Sequence, residues 1–222
     1  MKGKKNMAKK NNAKAVLRKV RLSYCNLLEP TSFDKEEPRY RTDVIISKDD
    51  VKNIEAIKLA INEAIKEAQE PKGSLAGKDL KAAKATGKWH SALKDGDLER
   101  PEDEAYKNAY FISPWGNKNW NDNGLQICDV REKPITKDTP DASSKIYSGC
   151  YVTISVKFFG YENRGNMGTG CCLGAVLTYE KGEPLSGKTT AQSEFADDIK
   201  EAQEEASLPD DDSTDASDDD LL

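Results

Sequence analysis

One segment of the sequence matches a phosphate-binding loop. Residues 182–189 read Gly-Glu-Pro-Leu-Ser-Gly-Lys-Thr, which satisfies the pattern G-x-x-x-x-G-K-[ST]. In such a loop the backbone amides surround the phosphates, the lysine contacts the outer phosphates, and the Ser/Thr hydroxyl binds Mg²⁺. The context argues against this chemistry, because only 33 residues follow Thr189. Enzymes of this kind need further parallel strands that supply a second Mg²⁺ ligand. A nucleotide hydrolase using Gly182–Thr189 is therefore the less favoured alternative.

The other side chains with catalytic potential form no recognisable set. His90 is the single histidine, so it has no partner for a metal site or a triad of the usual kind. The carboxylates between Leu93 and Tyr106 could hold Mg²⁺ or exchange protons, but in a turn-rich segment they more often provide solubility and helix caps. Five cysteines without a C-x-x-C spacing favour free thiols in a reducing cytoplasm over a zinc site. We expect no enzymatic activity, no metal and no cofactor.

The charge of the chain is divided between a basic body and an acidic end. Asp197–Leu222 contains twelve Asp or Glu and one Lys, a net charge of −11, whereas residues 1–196 contain 33 Lys or Arg and 27 Asp or Glu, a net charge of +6. A basic body favours a polyanionic partner, and an acidic segment on the same chain can compete for the same surface. We expect residues 1–13 to form a flexible basic arm and residues 196–222 a disordered acidic tail.

Membrane and secretory classes are not indicated. No stretch approaches the roughly 20 apolar residues of a membrane span, and the basic N-terminal residues are not followed by the apolar region of a secretory signal. The sequence therefore predicts a cytoplasmic protein.

Two strands with basic outer faces are predicted near the start of the body. The first, Val16–Tyr24, alternates between two faces. The face expected to be buried holds Val16, Val20, Leu22 and Tyr24, and the face expected to be exposed holds Leu17, Lys19, Arg21 and Ser23. The second strand, Arg39–Ser47, has an apolar face of Tyr40, Val44 and Ile46 and an outer face of Arg39, Arg41 and Asp43.

One helix and one long hairpin complete the predicted body. Apolar residues recur at helical spacing from Val51 to Ala68, after a capping signal at Ser47 and Asp50. Strand-like runs over Cys150–Tyr161 and Gly168–Tyr179 flank Asn163-Arg164-Gly165-Asn166, a composition typical of a hairpin turn. The middle of the chain, Lys72–Asn123, is expected to be rich in loops, with a modest strand at Leu125–Val130. Several antiparallel strands with one main helix favour a mainly β fold, a small β-barrel with long loops.

The strand over Cys150–Tyr161 has an outer face suited to unpaired bases. Its inward positions are apolar: Val152, Ile154, Val156 and Phe158. Its other positions carry three aromatic rings, one cation and two hydroxyls: Tyr151, Thr153, Ser155, Lys157, Phe159 and Tyr161. Rings stack on unpaired bases at about 1–3 kcal/mol per base, while cations and hydroxyls contact phosphates. Parity leaves an alternative open, in which a loop or the helix covers this face as a second core.

An ordered set of short segments resembles a phage-encoded family of single-stranded DNA-binding proteins. The segments are Val20-Arg21-Leu22-Ser23-Tyr24, Pro38-Arg39-Tyr40, Val44-Ile45-Ile46, Leu93-Lys94-Asp95-Gly96-Asp97, Glu99-Arg100-Pro101, Tyr110-Phe111, Tyr147-Ser148-Gly149-Cys150-Tyr151 and Gly182-Glu183-Pro184-Leu185. The resemblance implies an OB-fold-like barrel over residues 14–195, no enzymatic activity, and a role in phage DNA replication or recombination inside a bacterial host cell. It also implies that Gly-x-Pro-Leu is a family loop and that the following Gly-Lys-Thr is incidental.

The predicted binding site combines these strand faces with residues from the loops. The side chains expected to contact single-stranded DNA are Arg21, Arg39, Arg41, Trp89, Lys94, Arg100, Trp115, Tyr151, Lys157, Phe159, Tyr161 and Arg164. The tail is expected to compete with DNA for this groove and to recruit a polymerase, helicase or recombinase. The tail residues expected to do so are Asp210, Asp211, Asp212, Asp218, Asp219, Asp220, Leu221 and Leu222. The alternative from another class is a protein-interaction module that binds no nucleic acid.

Overall fold

The computed structural model describes residues 13–32, 37–117 and 125–185, and the following elements lie in these ranges. The strands are β1 (Lys14–Thr31), β2 (Arg39–Ser47), β3 (Trp89–His90), β4 (Lys94–Asp95), β5 (Ala109–Ile112), β6 (Trp115–Asn117), β7 (Ile127–Cys128), β8 (Tyr151–Asn163) and β9 (Asn166–Glu180). The helices are α1 (Val51–Gln69), α2 (Leu80–Ala85), α3 (Gly96–Glu99) and α4 (Ala142–Lys145), with a short 3₁₀ helix at Glu104–Tyr106. None of the helices in these ranges has both the length and the apolar character of a membrane span.

Five strands close a barrel. β1 pairs with both β2 and β8, β8 pairs with β9, and β6 joins β9 to β2, so the ring runs β1–β8–β9–β6–β2 and returns to β1. A five-stranded barrel with this mixed pairing is the OB-fold arrangement, and the predicted mainly β fold with one main helix is confirmed. The expectation of antiparallel strands was incomplete, because β9 also lies parallel to β3, β6 and β7.

The inside of the barrel and the buried face of α1 form the main core. The residues less than 3% exposed there include Leu17, Val20, Leu22, Val44, Ile46, Ile57, Ile154, Val156 and Phe158. The helix was predicted correctly, although its cap differs. The Asp50 carboxylate accepts the Asn53 N–H and is the N-cap, whereas Ser47 Oγ accepts from Asp49. α1 therefore closes the barrel by packing on β1 and β8.

Two irregularities in β1 overturn the predicted faces of that strand. Lys19 and Tyr24 have positive φ angles, 53° and 46°, and the strand register shifts beside both residues. A bulge adds one residue and so exchanges the faces that follow it. Before the bulge at Lys19 the odd-numbered residues face the core, so Leu17 is buried and Val16 is 39% exposed. After it the even-numbered residues such as Val20 are buried, until the second bulge leaves Tyr24 56% exposed. The predicted burial of Val16 and Tyr24 is wrong for this reason.

A buried asparagine on α1 supports the first bulge. The Asn53 side chain accepts the Arg18 N–H at 3.1 Å and donates to the Arg18 carbonyl at 2.8 Å. These bonds satisfy backbone groups that the bulge removes from the strand ladder. The helix thus fixes the point at which β1 changes faces.

The hairpin of β8 and β9 follows the prediction closely. Asn163 pairs with Asn166, and the two residues between them, Arg164 and Gly165, have φ angles of 51° and 85°. Two positive φ angles define the type I′ turn, which matches the twist of antiparallel strands. The inward positions Val152, Ile154, Val156 and Phe158 are buried as predicted. The predicted strand at Leu125–Val130 is reduced to β7, and the loop-rich middle contains α2, α3 and four short strands.

Candidate nucleic-acid interface

A groove of about 510 Å³ lies where β1, β2 and β6 meet. Its lining contains three arginines and one aspartate, a net charge of +2, together with two aromatic rings. The residues are Tyr24, Asn26, Arg39, Arg41, Thr42, Asp43, Arg100, Ser113, Pro114 and Trp115. The bulge at Tyr24 turns that ring outward into the groove. A basic groove that contains aromatic rings is the composition that single-stranded nucleic acids require.

Arg100 is held in the groove wall by a buried carboxylate. Its Nη2 donates to Asp43 Oδ2 at 2.8 Å, and the Tyr106 hydroxyl donates to the same oxygen at 2.7 Å. The guanidinium carbon lies 4.7 Å from the ring centres of both Tyr24 and Tyr106. Asp43 is 6% exposed, so this charge is buried only because two donors compensate it. Burial raises the pKa of the Tyr106 hydroxyl above its ordinary value, which keeps it a donor.

Arg39 and Trp115 form another part of the groove wall. The Arg39 guanidinium carbon lies 4.5 Å from the Trp115 ring centre, within the range of a cation–π contact. Arg39 makes no ion pair with a carboxylate of the described residues. Its guanidinium is one of the three arginine side chains that line the groove.

The side of the sheet that carries the groove residues continues along the hairpin. Residues paired across strands point to the same side of a sheet. Arg41 pairs with Trp115, Trp115 with Cys172, and Cys172 with Lys157. Phe159 and Tyr161 follow Lys157 on the same face of β8. This side of the sheet therefore connects the groove to the rings of Phe159 and Tyr161. We name the set of Lys157, Phe159, Tyr161 and their partners on β9 the hairpin strip.

Two glycines on β9 allow the rings of the hairpin strip to lie flat. Phe159 pairs with Gly170 and Tyr161 with Gly168. A Cβ on Gly170 would lie 2.6 Å from Phe159 Cζ, and one on Gly168 would lie 3.0 Å from the Tyr161 hydroxyl oxygen. The Phe159 ring thus occupies the space that a side chain at position 170 would take, whereas at position 168 the nearest atom is the His90 carbonyl oxygen. Both rings are half-buried, and the end of α1 packs behind the sheet, at Gly160.

The strip also contains a thiol that burial makes unreactive. Cys172 is 4% exposed, and burial raises its pKa to about 11, with Lys157 opposing the shift. Cys171, on the core side, has its pKa raised to about 12 by burial. Thiolate chemistry at neutral pH is therefore not what this surface offers. The five cysteines are free thiols, as predicted.

The structure brings most of the predicted DNA-contacting residues to one surface. Arg39, Arg41, Arg100 and Trp115 line the groove, and Lys157, Phe159 and Tyr161 form the hairpin strip. Lys94 lies next to this cluster, with Nζ 5.4 Å from the Phe111 ring centre. The eight predicted tail residues lie outside the described residues.

Four predicted residues lie elsewhere. Arg21 donates to the carbonyls of Gly149 and Glu183, and with Tyr151 it lines a separate cavity of about 260 Å³. Arg164 is exposed at the hairpin turn. Trp89 pairs with Met167, which pairs with Glu162, so Trp89 lies on the opposite face from Phe159 and Tyr161. Trp89 therefore does not share a surface with the groove residues, as the prediction required.

Sequence reasoning missed two residues that shape the groove. Tyr24 supplies an exposed ring, but strict alternation assigned it to the core. Asp43 was placed on the outer face, yet the sequence contained no signal that it would hold Arg100, which is 57 residues away. The positive φ of Tyr24 could not be anticipated, because glycine and asparagine are the usual residues there.

Residues 182–185, the part of the phosphate-loop match that the structure describes, do not form a phosphate-binding loop. The Gly182 N–H donates to the Tyr147 hydroxyl, and the Leu185 N–H donates to the Ser148 carbonyl. The Tyr147 hydroxyl in turn donates to the Gly182 carbonyl. Amides already bonded to protein cannot surround a phosphate. Residues 186–189, including the lysine and threonine, lie outside the described residues.

Comparisons with known proteins agree with this fold. The family model described as Enterobacter phage Enc34, ssDNA-binding protein, matches residues 13–207. Protein p50 of Acyrthosiphon pisum secondary endosymbiont phage 1 is 30% identical over 199 residues, which cover 88% of this chain and 98% of that protein. The single-stranded DNA-binding protein from bacteriophage Enc34 in complex with ssDNA is 23% identical with a TM-score of 0.61, covering 80% of this chain and 96% of that one. Another structure of that protein is 21% identical with a TM-score of 0.57, covering 85% of this chain and 96% of that one. The chain therefore belongs to the Enc34 family of phage single-stranded DNA-binding proteins.

Proposed function

We propose that this protein binds single-stranded DNA, with little dependence on sequence, through the groove and the hairpin strip. The observation that carries the proposal is the continuous surface from Tyr24 and Arg100, past Arg39 and Trp115, to Phe159 and Tyr161. Membership in a family with a member solved in complex with ssDNA supports it. We further propose that the protein has no enzymatic activity.

Each part of this surface has a role in the proposal. The arginines of the groove contact phosphates, which gives an affinity that falls with salt. Tyr24 and Trp115, each already stacked with a guanidinium, present rings to bases in the groove. Phe159 and Tyr161 do the same along the hairpin. Because every base has a flat face, stacking of this kind tolerates any sequence.

We also propose a regulatory role for residues 197–222. Their net charge of −11 is opposite to the charge of the groove, so the tail competes with DNA and is released when DNA binds. A released acidic segment is then free to recruit a polymerase, helicase or recombinase during phage DNA replication or recombination. The support for this proposal is charge alone.

Titration with oligo-dT tests the binding proposal. The chain has three tryptophans, and stacking of bases on Trp115 quenches its fluorescence. We expect saturable quenching at low salt and a linear fall of log K with log salt, whose slope counts the phosphates engaged at about 0.7 per contact. No quenching and no binding in dilute buffer would reject the proposal in favour of a protein-interaction module.

A further inference from the structure

A second basic surface lies on the other side of the hairpin from Phe159 and Tyr161. Residues 72–90 contain five lysines and a single acidic residue, Asp79. The Asp79 carboxylate caps α2 by accepting the N–H groups of Lys81 and Ala82. We name as the α2 lysine surface the set Lys78, Lys81, Lys84, Lys88 and Trp89. Its four lysines are exposed, and none forms an ion pair with a described residue.

This surface is attached firmly to the barrel. Ala83 of α2 is 3% exposed, and the Lys88 N–H donates to its carbonyl at 2.9 Å. The Lys88 carbonyl accepts the Met167 N–H of β9 at 2.8 Å. Lys84 Nζ lies 5.3 Å from the Trp89 ring centre, so a cation and a half-buried ring are presented together. This pairing of a cation with an aromatic ring is the same as that found in the walls of the groove.

The hairpin strip leads directly to the α2 lysine surface. Tyr161, Gly168 and His90 lie in register across β8, β9 and β3, a distance of about 10 Å at the usual strand spacing. His90 is exposed, and β3 pairs only with β9 among the described strands. Trp89, the next residue, faces the other side. A DNA strand that leaves Tyr161 therefore crosses only the short edge strand β3 before it reaches the lysines.

We propose that single-stranded DNA continues from the hairpin strip around the edge of β3 and onto the α2 lysine surface. This inference rests on the proposed function and extends it with a second phosphate-contacting track, used only by oligonucleotides long enough to reach it. An acidic peptide would match the same charge. Continuity with the strip favours DNA, because a strand bound at Tyr161 is already delivered to this edge.

A comparison of two oligonucleotide lengths tests the second track. The full-length variant Lys81→Gln/Lys84→Gln/Lys88→Gln is titrated with two lengths of oligo-dT. One has about 8 nucleotides, within the ~4–16 that one OB fold covers, and the other has about 30, which exceeds that range. The matched control is Lys52→Gln/Lys58→Gln/Lys133→Gln, which removes three exposed lysines at other places. With the long oligonucleotide, we expect the salt slope of the α2 variant to fall by about 2, at ~0.7 per lost contact. The short oligonucleotide is expected to bind as it does to the unaltered protein.

Each remaining outcome rejects the second track, and one of them also rejects the proposed function. The second track is overturned if the salt slope of the α2 variant is unchanged with the long oligonucleotide. It is also overturned if the salt slope falls equally with both lengths. A loss of the same size in the control variant also overturns it, since the effect would then be one of overall charge. If the unaltered protein binds neither length, the proposed function fails, and the second track fails with it.

Discussion

The pairing of Phe159 with Gly170 gives the sharpest prediction. A Cβ on residue 170 would lie 2.6 Å from Phe159 Cζ and 3.0 Å from Cε2, whereas carbon atoms in contact are ordinarily about 3.5–4.0 Å apart. Gly170→Ala therefore forces the ring outward by roughly 1 Å. The crowding costs about 1–3 kcal/mol, and the better strand propensity of alanine returns about 0.5–1 kcal/mol. We expect the free energy of unfolding to fall by about 1 kcal/mol.

The effect on DNA binding should depend on the ring. Stacking contributes about 1–3 kcal/mol per base, so Phe159→Ala should weaken oligo-dT binding by about 5- to 150-fold. Gly170→Ala displaces the same platform and should weaken binding by roughly fivefold, for a loss of ~1 kcal/mol. In a Phe159→Ala background, the substitution at Gly170 should no longer weaken binding and should raise stability by about 0.5–1 kcal/mol.

Urea unfolding and fluorescence titration of the four proteins in this cycle give both quantities. Gly116→Ala is the matched control, because its Cβ would lie an ordinary 3.5 Å from the Leu173 Cβ, and it should leave DNA binding unchanged. Additive effects of the two substitutions on binding would refute the reasoning. They would mean that Gly170 acts independently of the Phe159 ring.

Three further predictions concern the groove and the tail. Arg39→Ala should reduce the salt slope of oligo-dT binding by about 0.7. Arg21→Ala loses hydrogen bonds to backbone carbonyls, so it should lower the melting temperature and leave the salt slope unchanged. Equal salt slopes for the two variants would contradict the placement of Arg39 in the groove and of Arg21 outside it. Asp43→Asn should lower the free energy of unfolding by about 2–3 kcal/mol, measured in urea. The reason is that the buried oxygen shared by Arg100 and Tyr106 loses its charge. A loss below about 0.5 kcal/mol would contradict a stabilising role for these two hydrogen bonds. Deletion of residues 197–222 should tighten oligo-dT binding, most strongly at low salt, and unchanged or weaker binding would remove the competition by the tail.

The sequence was sufficient for the elements that depend on local patterns. The bounds of β2, the span of α1 and the hairpin turn all followed from periodicity and turn residues, because each pattern lies within about 20 residues. The short strands β3 and β4 could not be predicted in this way, and β7 was predicted with too great a length. They have two residues each, which is too short for a period, and they form only because β9 or β5 is beside them.

The residues of the groove were only partly predictable. Arg39 and Arg41 were correctly placed on an outer face, because β2 has an uninterrupted alternation. β1 is different, since each of its two bulges exchanges inside and outside, and strict alternation then gives the wrong face for Val16 and Tyr24.

The sequence alone thus determined which residue types were available to a nucleic-acid surface, namely the basic body, the outward arginines of β2, and the rings and lysine of β8. Tertiary structure decided which of them share one surface. It turned Tyr24 outward beside Arg100, buried Asp43 to hold that arginine, tied Arg21 to the backbone, and put Trp89 on the far side of the hairpin. The reason is physical: strand alternation is a local property, whereas bulges, cross-strand register and long-range ion pairs depend on which segments the closed barrel brings together.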